Sequence, residues 1–353
     1  MLKSIFLQNF RSYEKKEFNF QSQTTLIIGP NTSGKTNLIE SIYLLSTGKS
    51  FRTEKDAQMI RFEEGFGRVK AKIDDLELEV VLTNGLFNGQ KSQYKKFLVN
   101  GVAKRRIDFA GNFPVVLFSP QDLEIIVDSP SLRRSFLDEV LEQVDKSYRL
   151  DLISFTKALR QRNALLEVVQ TTGVRSEKQF EYWENLIIEH GQNITKKRQE
   201  FIDFVNANEK NIFDFYINYD KSIISKDRLL QYKQEEIAAG VTLVGPHRDD
   251  FSVAMFSESD DSTHDIKFFG SRGQQRLAIL QLKQLELAFI EKTLGERPIF
   301  LLDDIFSELD EEHIEHVFEM IGLQQTILTT THQEFIPKNV LKKTQVIKFT
   351  KAV

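Results

Sequence analysis

The chain has 353 residues, 41% of them hydrophobic and 28% charged, with a formal net charge of −4 and no cysteine. Such a chain is globular, with two domains or one large domain carrying an insertion, and it excludes disulfide frameworks and cysteine-based zinc sites. No apolar run approaches the ~20 residues a membrane helix needs, the start MLKSIFLQNF lacks a signal peptide's apolar region and cleavage site, and a cytoplasmic location without membrane contact is expected.

In chain order, Ile5 to Phe10, Glu17 to Phe20 and Thr24 to Ile28 read as strands, the last ending at Gly29-Pro30. A helix is expected from Thr36 to about Leu45, with Leu38, Ile39, Ile42 and Leu45 on one face. Alternating segments follow at Gly67 to Ile73, Leu76 to Thr83 and Lys96 to Val99, with turns at Asn84-Gly85 and Asn100-Gly101. From Asp122 to about Glu236 the spacing turns helical, as in Leu152, Phe155, Leu159 and Leu166, and the stripe is too short for a long coiled coil. The β pattern returns at Val241 to Val244 and Phe251 to Phe256, and the acidic Ser257 to Asp265 reads as a hairpin tip. A helix from about Gly273 to Leu294, the strand Ile299 to Leu302, a helix from Glu311 to Ile321 and the strand Thr326 to Thr330 complete the layout. The predicted architecture is a split α/β domain, residues 1–121 and 241–353, interrupted by an arm-like helical insertion at residues 122–240.

Between the third strand and the first helix stands Gly29-Pro30-Asn31-Thr32-Ser33-Gly34-Lys35-Thr36, a full match to the phosphate-binding loop G-x-x-x-x-G-K-[ST]. Its glycines let backbone N–H groups turn toward phosphate oxygens, and the helix N-terminus adds positive potential. The pattern assigns Lys35 to the β- and γ-phosphates of ATP and the Thr36 hydroxyl to Mg²⁺. The apolar strand Ile299 to Leu302 delivers Asp303 and Asp304 at its carboxyl end, where open α/β sheets bind ligands. Alone, two aspartates after a strand are as well read as a cap or turn. Beside the phosphate loop, Asp303 reads as the Mg²⁺-holding Walker B aspartate and Asp304 as the group that polarises the attacking water.

Ser271-Arg272-Gly273-Gln274-Gln275 precedes the long helix before that strand. In isolation it is a plain helix cap. In this position it resembles the ABC signature L-S-G-G-Q, with Gly270 in place of leucine and Arg272 in place of the first glycine, and it suits the γ-phosphate of ATP on a second subunit. Ser307-Glu308-Leu309-Asp310 resembles the D-loop at the dimer seam. Gln121 resembles the Q-loop glutamine that senses Mg²⁺ and the γ-phosphate. Either His332 or a neighbouring threonine of Thr329-Thr330-Thr331 resembles the switch residue. His247-Arg248-Asp249 spells a kinase tripeptide but reads as a turn after Gly245-Pro246.

Together these residues resemble the RecF family of SMC-like ATPases over nearly the whole chain. The likeness extends to Leu7 to Tyr13, Ser50 to Thr53, Leu132 to Asp138, Leu159 to Asn163 and Gly245 to Asp250. The resemblance implies a P-loop ABC/SMC-like head without the long coil, an ATP-dependent homodimer, and binding to duplex DNA and gapped junctions. It also implies cooperation with RecO and RecR in loading recombinase, and slow hydrolysis with an aspartate at 304. Candidate DNA contacts are Arg52, Arg105, Arg106, Arg160 and Arg162, each of which in isolation reads as part of a solvated face. The acidic balance requires any DNA surface to be local, and no base-reading element is present, so contacts would be to phosphate. Three other readings stand beside this one. They are another ABC or SMC head serving chromosomes or transport, a metabolic P-loop kinase, and a DNA clamp for which hydrolysis is incidental.

Overall fold

The computed structural model describes residues 1–87, 90–257, 261–307, 311–331 and 336–350. The chain divides into two compact units, residues 1–122 with 282–353, and residues 123–281.

The first unit begins with β1 (Leu2–Phe10), β2 (Tyr13–Asn19), β3 (Thr24–Ile28), α1 (Lys35–Thr47), β4 (Phe66–Ile73) and β5 (Leu76–Thr83). It continues through β6 (Leu86–Phe87), β7 (Gln90–Lys91), β8 (Lys95–Val99), β9 (Val102–Lys104), α2 (Arg106–Phe109) and β10 (Val115–Phe118). The second unit holds α3 (Glu124–Val127), α4 (Pro130–Val144), α5 (Lys146–Thr172), α6 (Glu177–Ala207), β11 (Tyr216–Asp220), α7 (Lys226–Gln231) and α8 (Lys233–Ala239). Next come β12 (Asp250–Ser257), β13 (Ser262–Asp265), α9 (Ile266–Phe269) and α10 (Arg272–Leu294), within which the unit boundary falls. The chain closes with β14 (Ile299–Asp303), α11 (Glu311–Met320), β15 (Thr326–Thr330), α12 (Lys338–Leu341) and β16 (Thr344–Lys348).

Two sheets organise the first unit. One is antiparallel, in the order β2-β1-β4-β5-β8-β9, and its β4 alternates buried and more accessible positions as a strand of a half-solvated sheet does. The other is wholly parallel, in the order β10-β14-β15-β3-β16. Its strands β10, β14 and β15 are buried at every position, the reason they read as unbroken apolar or threonine runs. A shared core joins both sheets to α1 through Leu38, Ile39, Ile42 and Leu45. Helix α1 stops at Gly48, whose φ of 71° permits the left-handed cap and whose N–H donates to the Leu44 carbonyl at 2.9 Å. The edge strand β16, unforeseen in the sequence, lies along β3 with Val346 opposite Leu26.

In the second unit α5 and α6 pack side by side. Their buried positions include Phe155, Ala158, Leu166 and Val169 on one helix and Phe180, Ile187, Ile194 and Phe201 on the other. Three arginines share these buried faces, Arg149 and Arg162 on α5 and Arg198 on α6. Three expectations are corrected here. The boundary expected at residue 240 falls at 281, because β12 pairs with β11 and β13 in a three-stranded sheet of the helical unit. Strand β11 interrupts the expected all-helical stretch, and Asn206 brackets its Ile217 with bonds of 2.8 and 2.9 Å to backbone N–H and C=O. Residues 241–244 form no strand, since the Thr242 and Leu243 amides donate to the side chains of Asn163 at 2.9 Å and Glu236 at 2.8 Å instead of a ladder.

The turn after Gly245 is a 3-10 turn over Pro246–Arg248, as read from the sequence, and Gly245 takes a φ of 125° that a side chain would strain. Asp249, fully buried, accepts from Arg198 at 3.2 Å, from Tyr219, and from the Ser222 amide at 2.7 Å. Arg133 forms a two-pronged pair with Asp250 at 2.6 and 3.0 Å. Burial holds the His247 imidazole down at about 4, so it is neutral at pH 7. The tripeptide and Asp250 after it therefore form a structural knot tying α4, α6 and β11 together.

Candidate nucleotide site

The parallel sheet places the chemistry. Register pairs Phe118 with Leu302, Asp303 with Thr329, and Thr330 with Ile28, so the segments leaving β10, β14, β15 and β3 emerge together at the carboxyl edge. Those segments carry Gln121, Asp303 with Asp304, the threonines, and the phosphate loop. The Gly29 amide reaches back to the Thr330 carbonyl at 3.3 Å.

Gly34 stands immediately before α1 with a φ of 102°, and a Cβ there would lie 2.9 Å from the Tyr13 hydroxyl. No other residue type fits both restrictions. Tyr13 donates to the Gly34 carbonyl at 3.0 Å, so the end of the first hairpin braces the loop. Ser33 Oγ is buried with no hydrogen-bond partner in the loop. The Lys35 ammonium is buried, curled onto the carbonyls of Gly29 at 2.7 Å and Pro30 at 3.1 Å. Burial lowers its pKa, and Asp304 and Asp303 oppose that shift. An orphaned hydroxyl, a compressed glycine and a buried cation fit a phosphate cradle.

The residues expected to hold a divalent cation lie together. Thr36 Oγ1 and Thr329 Oγ1 both donate to Asp303 Oδ1, at 3.1 and 2.8 Å. Burial raises the Asp303 pKa, while these two bonds pull it down. Among the described residues no group of three or more His, Asp or Glu side chains forms a metal cage. One carboxylate with hydroxyls suits Mg²⁺, which keeps waters and phosphate oxygens in its own shell. Thr36 and Asp303 would hold the ion, which when bound would neutralise phosphate charge and supply Lewis acidity.

Asp304 adopts a φ of 52°, a left-handed conformation costing about 1–2 kcal/mol in a non-glycine residue. Its amide donates to Thr329 Oγ1 at 3.0 Å. Thr329 thus links the two aspartates, accepting from one backbone and donating to the other side chain. The sequence placed Thr329 in a strand and among the threonines that stand beside His332 as candidates for the switch residue, without linking it to the aspartates. Its register opposite Asp303 was the missing signal.

Gln121 is exposed in the 3-10 turn Pro120–Leu123 beyond β10. Asp122 holds that turn by accepting from the Ser119 amide at 2.6 Å, and Lys283 of α10 grips Asp122 at 2.8 Å. Lys283 also meets Glu286 at 3.2 Å, and burial pushes Glu286 up to about 6. Asp310 and His332 lie outside the described residues, and the Ser307 backbone ends a 3-10 turn Ile305–Ser307 after β14.

The signature lies in the second unit at the start of α10. Ser271 and Gln274 form a reciprocal cap, with Gln274 N–H donating to Ser271 Oγ at 3.2 Å and Ser271 N–H to Gln274 Oε1 at 2.8 Å. Ser271 Oγ accepts in this bond, which leaves its own proton for another acceptor. Gln275 Nε2 donates to the carbonyls of Ile266 at 3.2 Å and Gly270 at 3.4 Å. Gly270, the departure from leucine, has a cause: a Cβ there would lie 2.7 Å from the Ile266 carbonyl. Arg272 is exposed and Gly273 half-buried.

The expected DNA arginines separate. Arg162 is 1% exposed and bonded to Glu236 at 2.6 Å, Glu184 at 3.1 Å and Thr242 at 2.8 Å, so it is a structural arginine and no phosphate contact. Arg52 donates to Asn37 of α1 at 2.9 Å and lies 3.5 Å from buried Glu40, which Arg11 also pairs at 2.6 Å. Its charge lowers the Asp303 pKa, placing Arg52 beside the nucleotide site. Arg106 donates to the Thr47 carbonyl at the end of α1 at 2.9 Å. Arg105 and Arg160 are exposed.

These positions separate the two aspartates by experiment. Asp303→Asn is expected to weaken Mg²⁺-dependent nucleotide binding by an order of magnitude or more, since it loses the charge the cation requires. Asp304→Asn is expected to retain binding and slow hydrolysis by roughly 10²-fold, the lower range for loss of a general base. Titration and turnover on both variants check this, and exchanged phenotypes would exchange the roles.

Comparison with known proteins identifies the family and the fold. The family described as "RecF/RecN/SMC N terminal domain" matches residues 1–352. The chain is 35% identical to a "DNA replication and repair protein RecF" of Bacillus cereus (strain AH820), over 99% of this chain and 96% of that protein. It is similar to a solved structure of "the recombination mediator protein RecF-ATP in RecFOR pathway", with 31% identity, a TM-score of 0.83, and 95% and 93% of the two chains covered. The Smc head domain of Pyrococcus yayanosii shares the fold at 13% identity and a TM-score of 0.53, over 98% of this chain and 94% of that one.

Proposed function

Because this chain belongs to the RecF/RecN/SMC N-terminal domain family, and is an ATPase of that SMC-like kind, we propose that it is a slow, ATP-switched DNA-repair protein. ATP bound at Lys35 and Thr36, with Mg²⁺ at Asp303, closes two copies into a homodimer whose Ser271 to Gln275 meet the partner's nucleotide. The dimer grips duplex DNA beside single-strand gaps in the cytoplasm and, with RecO and RecR, helps load recombinase. Proteins named RecF supply the pathway and its partners. The observation that supports the switch is the Thr36–Asp303–Thr329–Asp304 chain of hydrogen bonds, which links the phosphate loop to the backbone amide of Asp304.

A local basic surface supports the DNA reading. Lys95, paired with Asp56, donates to the Gly48 carbonyl at 2.9 Å; burial chiefly lowers its pKa, Asp56 opposes that shift, and the nearby charges of Arg106 and Lys49 add to it. Two basic clusters distant in sequence, around residues 49 and 105, therefore meet at the end of α1 in the first unit. Phosphate contacts there would be indifferent to sequence, with affinity falling at a log–log salt slope of about −0.9 per phosphate neutralised.

The test is Ser271→Arg. It is expected to leave ATP binding to the monomer intact, to abolish the ATP-induced dimer seen by light scattering, and to reduce duplex affinity to its ADP level. One substitution damages both equivalent sites of a two-fold dimer. A normal dimer from this variant would reject the trans role of the signature. Equal duplex affinity with ATP and ADP for the unaltered protein would break the link to DNA.

A further inference from the structure

Two phenylalanines stand in front of the signature with most of their surface in water. Phe268 is 72% exposed and Phe269 is 64% exposed, and both belong to α9, the single turn that leads into Gly270 and Ser271. Exposed aromatic side chains next to each other form the kind of apolar anchor that interfaces bury. Each carries a contact of its own on the open face: the Lys267 ammonium lies 5.6 Å from the Phe268 ring, and the His264 ring 4.7 Å from that of Phe269.

The turn is locked to the signature. Asp265 caps α9 by accepting from the Lys267 amide at 2.8 Å, and Ile266 is fully buried beneath it. The Gly270 amide closes the turn on the Ile266 carbonyl at 2.9 Å, and Gln275 of the signature binds that same carbonyl from the first turn of α10. No hinge separates the rings from Ser271. Whatever surface receives Ser271 must also receive or clash with Phe268 and Phe269.

We propose that Phe268 and Phe269 form a hydrophobic anchor that docks on a second copy of this chain when the signature closes over that copy's nucleotide. The inference rests on the trans reading of the signature given above. It makes the dimer partly independent of the phosphate: the nucleotide supplies the polar centre of each half-site and the two rings supply apolar burial at its border. Lys267 and Arg272 flank the rings with positive charge, which suits the phosphates of a nucleotide bound to the second copy.

The experiment is sedimentation velocity on the full chain with ATP and Mg²⁺, comparing the unaltered protein, Ser271→Arg, and Phe268→Ser with Phe269→Ser together. The double variant is expected to raise the dimer dissociation constant at least tenfold, with monomer ATP affinity and thermal midpoint unchanged. A dimer unaltered by the double change, while Ser271→Arg blocks it, overturns the anchor and leaves the trans signature standing. A dimer unaltered by Ser271→Arg overturns both. Because the chain has no cysteine, Phe268→Cys carrying an environment-sensitive dye gives a second reading that does not depend on weakened assembly. Its emission should shift to the blue when ATP, but not ADP, is added, and an unchanged spectrum in a sample that sediments as a dimer overturns the proposal.

Discussion

Lys35→Ala is expected to abolish ATP binding at ordinary nucleotide concentrations. Removing one partner of a buried, hydrogen-bonded charge pair costs about 2–5 kcal/mol, equivalent to about 30- to 5000-fold in affinity. The ammonium is poised for that role, buried and resting on the Gly29 and Pro30 carbonyls at 2.7 and 3.1 Å. Neighbouring Asp303 and Asp304 help to keep it charged against its burial. Lys35→Arg retains the charge on a planar, bulkier group, so binding should survive better than hydrolysis. Calorimetric titration with ATP and Mg²⁺ measures both, and circular dichroism checks that the loop's loss leaves the fold in place. Equal affinity for the unaltered protein and Lys35→Ala would remove the nucleotide from this loop.

Arg162→Ala should be the most destabilising of the arginine changes, by about 3–5 kcal/mol in the unit formed by residues 123–281. Its guanidinium joins α5 to Glu184 of α6 and Glu236 of α8, and lies 5.8 Å from the Phe180 ring. Truncation leaves Glu236, itself wholly buried, with its charge uncompensated except by the Leu243 amide. Arg160→Ala, two residues away on the exposed face of the same helix, should change stability by less than about 0.5 kcal/mol. Denaturant melts compare the two directly. If Arg162→Ala melted normally yet bound duplex poorly, Arg162 would be a phosphate contact after all.

The contrast between these two arginines shows where sequence reading stops. Helical spacing identified the buried stripe of α5 from Phe155 and Leu166, but spacing counts apolar residues. It gave Arg162 and Arg198 no place among them, although both occupy buried positions on that period. A buried arginine is permitted only by partners far along the chain, such as Glu236 for one and Asp138 with Asp249 for the other. No local pattern announces such pairs. The same limitation hid β11 and β16, whose ladders need partners 30 residues or more distant, and it moved the boundary from 240 to 281.

The sequence alone determined the chemistry whose requirements are local. A phosphate cradle needs a glycine before Lys35 and a hydroxyl after it, and a metal-holding carboxylate needs a buried strand to deliver it. Both are short runs of chain, and Gly29 to Thr36 and Ile299 to Asp304 spell them without help from the rest of the fold. Only the tertiary structure decided how those runs cooperate. Parallel pairing of β14 with β15 put Thr329 between Asp303 and Asp304, the hairpin of β1 and β2 brought Tyr13 against Gly34, and Gln275 fixed the exposed phenylalanines to the signature. Each of these depends on chain segments meeting in space, and their free energy comes from burial and pairing that no window of sequence contains.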